Sequence, residues 1–518
     1  MTDILLSTIN AKWIHPSLAL RLLRANLGEL EGRSAILEFA LRQPLEEKVA
    51  GILAERPRIL ALSVSIWNHL GTLELLRALR QRWASGEGGG RPVVILGGPE
   101  AANLGAAAPL LAECDWLVRG EGEHAFRTLC RAVLADREPE AGGPILSVRA
   151  AGPYRIATAA PVDPETIDPG YRLYTDEDLR KKLTYVEASR GCPFGCEFCL
   201  SSLDRRVRHF PLAPFLAEMD ALFGRGARAF KFLDRTFNLE AARARTIMEF
   251  FLARLKGGGL GPGGLGSGRL QDGRLHGARH DPDRRDGSGA YVHFEMVPSR
   301  FPEDLREPLR AFPPGSLRLE VGIQTFDADV AAAIGRPSDP EKELEALDFL
   351  RDRTTAIVHA DLIAGLPGET AEGFGRGFDR LWSVKPTEIQ VGVLKRLPGA
   401  PLSRHDGPFR MRYAEVPPYE VISTSAMTEA ELDRLKNFAR FWELIVNRGH
   451  FPDLVPALLP SGGSTFARFM ALSDGLLARF GRNWGIDRAE LRAALAEWAG
   501  IGGGSAAAGG LQAKRPAR

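Results

Sequence analysis

The segment GCPFGCEFC, residues 191–199, places three of the five cysteines of the chain within nine residues. It directly follows a short apolar segment, TYVEAS (184–189), which has the composition of a β-strand. Thiolates spaced this closely usually serve as metal ligands. The segment therefore predicts a metal centre at the carboxyl end of a strand.

Five further apolar segments continue the series that begins with TYVEAS. Helical periodicity fills most of the intervals between them, as in alternating strands and helices of a parallel sheet. The segments are ARAFKFLD (227–234), AYVHFEMV (290–297), LRLEVGIQ (317–324), AIVHADLIAG (356–365) and TEIQVGVLK (387–395). Six units without a seventh and eighth predict an incomplete (β/α)6 barrel, open on one side. In barrels the chemistry lies at the carboxyl ends of the strands.

An earlier βα series occupies the first part of the chain. Its apolar runs alternate with amphipathic segments and lie at 3–9, 35–41, 59–65, 92–98 and 115–120. This pattern predicts an α/β unit with a doubly wound, Rossmann-like parallel sheet, which binds ligands beyond the carboxyl ends of its strands. The glycines of these loops let the backbone approach a large ligand closely. The candidate binding residues are Ser65, Gly97, Gly98, Gly120, Glu121 and Gly122.

Composition shifts suggest where the parts of the chain begin and end. We expect a first domain over 1–140, a proline-rich linker over 141–182, the barrel over 183–405, a helical domain over 406–498 and a flexible tail over 499–518. The glycine-dominated residues 256–289 predict a disordered insertion in the barrel, because they carry almost no apolar content. In the helical part, Thr428 and Glu431 form a capping-box pattern before an amphipathic helix.

The charge and cysteine totals disfavour several classes of protein. With 67 basic and 65 acidic side chains the formal charge is +2, so nothing in bulk indicates attraction to nucleic acid or membrane. No apolar run approaches the roughly 20 residues that span a bilayer. Few cysteines and no leader segment predict a cytoplasmic protein, in which reduced thiols serve as ligands.

The residues alone leave two kinds of metal centre open. A structural zinc site needs four protein ligands, and His209 could complete a Cys3His set. A 4Fe–4S cluster normally takes four thiolates, one for each iron. Three thiolates would leave one iron without a protein ligand and free for a substrate.

The spacing of Cys192, Cys196 and Cys199, with Phe198 before the third cysteine, resembles the C-x3-C-x-aromatic-C signature of the radical S-adenosylmethionine (SAM) superfamily. The resemblance implies a 4Fe–4S cluster on the three cysteines. It also implies that SAM binds the open iron and is cleaved there to a 5′-deoxyadenosyl radical.

The resemblance extends to the other strand ends of the barrel. Polar side chains there would face SAM in a barrel of this family, and the candidates besides Phe198 are Asp234, Glu295 and Gln324. Because cofactors carry this chemistry, no catalytic residue is nominated beyond the cluster ligands.

The first domain is similar to the cobalamin-binding domain that precedes the barrel in one radical SAM subclass. Its best matches are the loops Gly97–Glu100 and Gly120–Glu123. The D-x-H-x-x-G motif that supplies a cobalt ligand in other cobalamin domains is missing. His15 lies in the corresponding loop without the flanking Asp and Gly, and we interpret it as a packing residue. The C-terminal part looks like an uncharacterised domain carried by one branch of the subclass.

These resemblances predict a cobalamin-dependent radical SAM enzyme that methylates an unactivated carbon. One SAM would supply the methyl group through cobalamin and a second the radical, with flavodoxin or ferredoxin as the electron donor. A cyclase or rearrangement enzyme with the same cofactors is the alternative, and a non-catalytic cobalamin or redox sensor is a third hypothesis. Methylthiolation is disfavoured because only Cys114 and Cys130 remain for a second cluster. The substrate is not predicted.

Overall fold

The computed structural model describes residues 2–257, 270–271, 274–275, 289–336 and 338–501. A mainly parallel sheet, an open barrel and a helical region follow one another along the chain, so the predicted α/β fold class is confirmed. The insertion expected at 256–289 and the tail expected at 499–518 lie mainly outside the described residues. No helix of the described part is long and apolar enough to cross a bilayer.

The first sheet has seven strands in the order β2-β1-β3-β4-β5-β7-β6. They are β1 (Ile4–Asn10), β2 (Ser34–Ala40), β3 (Ile59–Ser63), β4 (Val93–Gly97), β5 (Trp116–Arg119), β6 (Ile145–Ala151) and β7 (Tyr154–Ala159). The helices are α1 (Leu18–Ala25), α2 (Leu45–Glu55), α3 (His69–Ala84) and α4 (Gly122–Leu134). α1 and α4 pack on one face of the sheet and α2 and α3 on the other. This cover buries all seven residues of β1, as expected for a central strand.

The predicted linker 141–182 contains a β-hairpin that the sequence analysis missed. β7 pairs in parallel with β5, and β6 pairs antiparallel with β7 at the edge of the sheet. An edge strand buries little of its surface, and β6 buries only Ile145 fully, so no clear apolar pattern marks it. The short helix α5 (Asp176–Lys181) follows.

The barrel sheet has six parallel strands in the order β17-β16-β15-β14-β11-β8. They are β8 (Thr184–Val186), β11 (Ala229–Phe232), β14 (Tyr291–Met296), β15 (Leu317–Gln324), β16 (Ile357–Ala364) and β17 (Glu388–Val393). The helices are α6 (Leu212–Gly224), α7 (Ala241–Gly257), α8 (Arg306–Ala311), α9 (Ala328–Ala333), α10 (Pro340–Arg353) and α11 (Ala371–Ser383). Two-residue strands form the pairs β9 (Ser189–Arg190) with β10 (Arg208–His209) and β12 (Leu270–Gln271) with β13 (Arg274–Leu275). In the described residues β8 and β17 do not pair, so the predicted open barrel is confirmed.

The C-terminal region is mainly helical, as predicted. It begins with a short pair that the sequence analysis missed, β18 (Arg412–Tyr413) and β19 (Val421–Ser423). The helices are α12 (Glu429–Trp442), α13 (Val455–Leu458), α14 (Thr465–Phe480) and α15 (Arg488–Trp498). The capping box of Thr428 and Glu431 starts α12, and a π-helical turn, Glu443–Asn447, ends it. Phe438 and Trp442 of α12 pack edge-to-face on Phe378 of α11, so the barrel and the helices share one core.

A buried acid after β16 makes the stability of the barrel depend on pH. Glu369 is 2% exposed, accepts a hydrogen bond from the Thr325 hydroxyl at 3.1 Å, and burial raises its pKa to about 8. An unfolded glutamate has a pKa of about 4.3. The folded state therefore keeps a proton that the unfolded state loses, and stability should fall as the pH rises from about 4.5 through about 8.

We expect Glu369→Gln to remove this fall, because the amide resembles the protonated acid. At pH 8.5 the variant should be more stable than the natural protein by about 5 kcal/mol, with little difference at pH 4.5. Urea unfolding at both values measures the effect. Glu372→Gln, at an exposed position of α11, is the control. Equal pH dependence in Glu369→Gln and the natural protein would contradict the assignment.

Candidate active site

The three clustered cysteines lie in the loop after β8 and β9, at the carboxyl end of the first barrel strand. All three are free thiols, with Cys196 buried and the other two partly buried. The loop is held by its own backbone, since the Cys192 amide donates to the Asp204 carbonyl at 3.2 Å. Gly191 starts the loop and has a φ of +91°. A Cβ added at this residue would overlap the Arg206 carbonyl oxygen. A side chain at position 191 would therefore disturb the loop.

The three thiols are placed as a group that could hold an iron–sulfur cluster. Burial raises the pKa of Cys192, and Cys199 and Cys196 raise it further, so the three sulfurs lie close enough to interact. Among the described residues no three His, Cys, Asp or Glu side chains are placed to hold one ion. A cluster takes each thiolate on a different iron, which needs a wider spacing than one ion does. The three cysteines therefore fit the cluster that their spacing predicts.

The zinc alternative lacks its fourth ligand. His209 lies on β10, where its Nε2 is 2.8 Å from Oε1 of Glu240. In the part of the chain that the structure describes, His209 forms no ligand group with the cysteines. The geometry therefore gives no support to a Cys3His site.

Arg336 lies beside the cysteine loop, and the sequence analysis did not identify it. Its Nη1 is 3.9 Å from Sγ of Cys196, and its Nε donates to the Ile323 carbonyl at 3.2 Å. Burial raises the pKa of Cys196, and the guanidinium opposes that rise. Arg336 therefore places a positive charge beside the Cys196 sulfur, where it would stabilise the thiolate form of a metal ligand.

Glu197 ties the cysteine loop to the segment beyond the barrel. Its Oε2 accepts from Arg404 Nε at 2.6 Å and lies 2.7 Å from His405 Nε2. Burial alone would raise the pKa of Glu197, but Arg404 and His405 hold it below its usual range. We call this contact the Glu197 latch. It connects the cysteine loop to residues that follow the last strand of the barrel.

The predicted SAM-contacting residues are placed differently from one another. Asp234 is 2% exposed, and its two oxygens accept from the Ala188 amide at 2.9 Å and the Ser189 hydroxyl at 2.5 Å, so the protein itself satisfies them. Glu295 is less enclosed: its Oε2 is 3.4 Å from Arg235 Nη1, and burial raises its pKa to about 7. Phe198 packs partly buried against the barrel core. Of the four candidates, Asp234 is the one whose carboxylate holds the chain that leads into the cysteine loop, through Ala188 and Ser189.

Gln324 has a backbone conformation that is uncommon for its residue type. It ends β15 at φ +72°, just after a β-bulge between Gly322 and Gln324. Non-glycine residues in this region cost of order 1–3 kcal/mol and cluster at functional sites. The bulge changes the direction of the strand end, which is where the chemistry of a barrel lies.

The candidate residues of the first sheet surround its carboxyl edge. Gly98, at φ +95°, follows β4 where a Cβ would lie 2.6 Å from the Val64 carbonyl oxygen, and Gly97 is the last residue of that strand. Gly120, at φ +94°, follows β5. Ser65 is buried and its amide donates to the Asn68 side chain at 2.8 Å. At these glycines the backbone at the carboxyl edge of the first sheet carries no side chain that would keep a ligand away.

Glu121 connects the first unit to the barrel in this structure, whereas Gly122 packs within the first unit. Both oxygens of Glu121 are bound by Arg208, at 2.7 and 2.8 Å, and Oε2 also accepts from the Val162 amide at 2.6 Å. Gly122 opens α4 against the side chain of Leu23. The Glu121 carboxylate is therefore engaged by the barrel, which the sequence analysis did not anticipate.

His15 faces the barrel. Its Nδ1 is 2.8 Å from the Tyr185 hydroxyl, and burial with the nearby Lys12 and Lys231 lowers its pKa to about 4. This placement agrees with its interpretation as a packing histidine.

Large apolar side chains stay exposed around the same edge of the first sheet. Trp13, Trp67 and Leu70 are each at least half exposed, and Trp67 Nε1 donates to the Ile9 carbonyl at 3.2 Å. Nearby, buried Glu100 lies 2.7 Å from His69 Nδ1 and accepts from the Tyr419 hydroxyl at 2.6 Å. The sequence analysis named none of these as site residues. Exposed aromatic side chains grouped in this way often mark a binding surface.

A family model described as the radical SAM superfamily matches residues 186–380. The chain carries a radical SAM domain. The match begins in β8 and ends in α11, and it includes the three cysteines.

Curated relatives of this chain include two methyltransferases. The cobalamin-dependent radical SAM methyltransferase TokK of Streptomyces tokunonensis is 26% identical over 383 residues, which cover 70% of this chain and 50% of TokK. The 2-(S-pantetheinyl)-carbapenam-3-carboxylate methyltransferase of Streptantibioticus cattleyicolor is 32% identical over 170 residues, 30% of this chain and 23% of that protein. The chain thus spans half or less of the length of these relatives.

Solved structures share the fold well beyond the radical SAM domain. The methyltransferase TsrM of Kitasatospora setae, with tryptophan and a SAM analogue bound, has a TM-score of 0.59 at 17% identity and covers 91% of this chain and 95% of its own. The cobalamin-dependent radical enzyme OxsB, with aqua-cobalamin bound, has a TM-score of 0.60 at 14% identity and covers 96% and 79%. At these identities the likeness is one of fold.

Proposed function

We propose that the chain is a cobalamin-dependent radical SAM enzyme that methylates an unactivated carbon. The observation that carries the proposal is the three-thiol loop at the carboxyl end of β8, in a radical SAM domain preceded by a doubly wound sheet. The description of TokK as a cobalamin-dependent radical SAM methyltransferase, matched over 70% of this chain, supports the methyl-transfer reading.

In this proposal Cys192, Cys196 and Cys199 hold the cluster. Bound there, the cluster would supply the electron that cleaves SAM. Arg336 stabilises the thiolate of Cys196 through its charge. Glu295 and Gln324, at the ends of β14 and β15, are the proposed SAM contacts, while Asp234 positions the start of the cysteine loop through Ser189. The Glu197 latch keeps the loop rigid, which a cofactor site needs.

The carboxyl edge of the first sheet is the proposed cobalamin site. Gly98 and Gly120 leave room for close backbone approach, and the exposed rings of Trp13 and Trp67 offer flat apolar surface to a large ring system. Because the D-x-H-x-x-G motif is missing and His15 packs against Tyr185 of the barrel, we propose that His15 does not ligate cobalt.

The proposal also assigns the parts of the chain and its surroundings. Residues 1–140 would bind cobalamin, 183–405 would bind the cluster and SAM, and 406–498 would cover the barrel beside β17. Flavodoxin or ferredoxin is the proposed electron donor. We place the protein in the cytoplasm, where the cluster thiols stay reduced.

The test is an anaerobic assay of the reconstituted protein with cobalamin, a low-potential reductant and SAM that carries a deuterated methyl group. Mass spectrometry follows 5′-deoxyadenosine, S-adenosylhomocysteine and the label on cobalamin. We expect 5′-deoxyadenosine, together with label on cobalamin and an equal amount of S-adenosylhomocysteine. Omitting cobalamin is the control and should remove S-adenosylhomocysteine alone. 5′-Deoxyadenosine without any labelled cobalamin would overturn methyl transfer in favour of a cyclase or rearrangement enzyme.

A further inference from the structure

Inside the barrel, near the amino-terminal ends of its strands, lies a cavity of about 390 Å³. Side chains of a strand alternate between its two faces, and here the inward positions are polar while their neighbours are buried apolar residues of the core. The inward residues include Lys231, His293, Glu320, His359 and Glu388. A polar interior of this size lies within the range of small-molecule sites.

This cavity is separate from the cysteine loop. It is lined by residues near the starts of the strands, such as Tyr291, Arg318 and Glu388, whereas the cysteines follow the end of β8. Glu320 precedes Gln324 by four residues, a distance of about 13 Å along β15. Lys12, from the loop after β1, closes the cavity from the first sheet.

One flank of the cavity has buried acceptors that lack donors. His359 is 8% exposed, and its Nδ1 lies 3.1 Å from Oε2 of Glu388. A neutral imidazole that donates from Nδ1 leaves Nε2 as an acceptor, and Nε2 has no partner among the described residues. Asn447 is 7% exposed and donates to the Ile389 carbonyl at 3.0 Å, but its Oδ1 is also unpartnered in the described chain. Buried polar atoms nearly always have a partner, so this flank requires a donor.

The opposite flank is cationic. Lys231 lies on β11, three strands away from His359 on β16 in the order of the sheet, and its Nζ is 3.5 Å from Glu320. Arg318 and Lys12 also line the cavity. The charge of the wall thus changes from acidic near Glu388 to basic near Lys231.

The backbone beside the acidic flank is irregular. Glu443 and Asn447 reach the cavity from the π-helical turn that ends α12. Such turns occur frequently at functional sites. This is an observation independent of the unpartnered atoms.

We propose that this cavity binds a small zwitterion of the amino-acid type. Its ammonium group donates to Nε2 of His359 and Oδ1 of Asn447 beside the Glu388 carboxylate, and its carboxylate accepts from Lys231 and Lys12. The ligand would bridge the barrel and the first sheet. The inference goes beyond the proposed function and depends on neither the cluster nor cobalamin.

The test uses the purified full-length protein and ω-amino acids of increasing length: glycine, β-alanine, 4-aminobutyrate and 5-aminovalerate. Butylamine and butyrate carry one charge each and serve as controls. Calorimetry should give a Kd below about 1 mM for at least one zwitterion, and at least about tenfold weaker binding of both controls. The length of the amino acid that binds most tightly indicates the distance between the acidic and the cationic flank of the cavity.

Matched variants connect the binding to the named side chains. Glu388→Gln keeps an acceptor for His359 but removes the charge, and Lys231→Gln removes the opposite charge. Each should weaken binding of the preferred zwitterion by about tenfold or more, while the exposed Glu341→Gln of α10 should not. The far-ultraviolet spectrum and melting temperature of each variant show whether it is folded. Three results would overturn the proposal: no zwitterion binds at about 10 mM, butylamine binds as well as the zwitterions, or folded Glu388→Gln and Lys231→Gln bind like the natural protein.

Discussion

Replacing Cys196 by Ala should abolish the cleavage of SAM. The variant loses one of three thiolates, and with it the sulfur that lies 3.9 Å from Arg336. A cluster with two protein ligands would leave two irons unanchored, so reconstitution should yield less iron and no 5′-deoxyadenosine above background. Iron and sulfide analysis, together with mass spectrometry of the nucleoside, measures the effect.

Cys130→Ala is the matched control for this prediction. Cys130 is fully buried among the residues of the first sheet's core, far from the cysteine loop in the chain. It should keep its iron and its activity. If folded Cys196→Ala binds as much iron as the natural protein and still forms 5′-deoxyadenosine, the assignment of the cluster is wrong.

Replacing Arg190 by Ala should destabilise the protein, because Arg190 pairs with carboxylates at the contact between the first domain and the barrel. Arg190 is 2.6 Å from Glu123 on α4 and 3.0 Å from Glu187, and its side chain is 10% exposed. Arg190→Ala would leave both carboxylates without this partner in a buried site. Removing one member of a buried ion pair costs about 3–5 kcal/mol, and we expect a loss of that size in urea unfolding.

A second variant separates the lost charge from general damage. In Arg190→Met combined with Glu123→Leu the stranded carboxylate on α4 is gone, so much of the stability should return. The exposed Arg206→Ala should change little. If Arg190→Ala unfolds at the same urea concentration as the natural protein, the network contributes nothing to stability.

The fold was predictable because its strands are long enough to carry a pattern. β1 is buried along its whole length and β15 alternates buried and half-buried residues, and both appear in the sequence as apolar runs of the right length. In the hairpin β6–β7, β6 was missed because an edge strand needs few apolar residues. The pair β18–β19 was missed because strands of two and three residues carry no periodicity.

The candidate site was predictable only where its residues are adjacent in the chain. The three cysteines stand within one loop, but Arg336 lies 140 residues from Cys196 and is one of 67 basic residues. The sequence also does not tell which strand-end carboxylates the protein uses itself. Asp234 is satisfied by Ser189 and Ala188, and Glu121 by Arg208, because the folded chain brings those partners within reach.

The Glu197 latch has a consequence for how the protein is made. The cysteine loop emerges from the ribosome early, but Arg404 and His405, which lock it, are translated 207 and 208 residues after Glu197. During synthesis the cysteine loop therefore lacks the contacts of Glu197 with Arg404 and His405 until the rest of the barrel has been translated. Delivery of iron and sulfide should accordingly favour the released chain over nascent chains that end before residue 404.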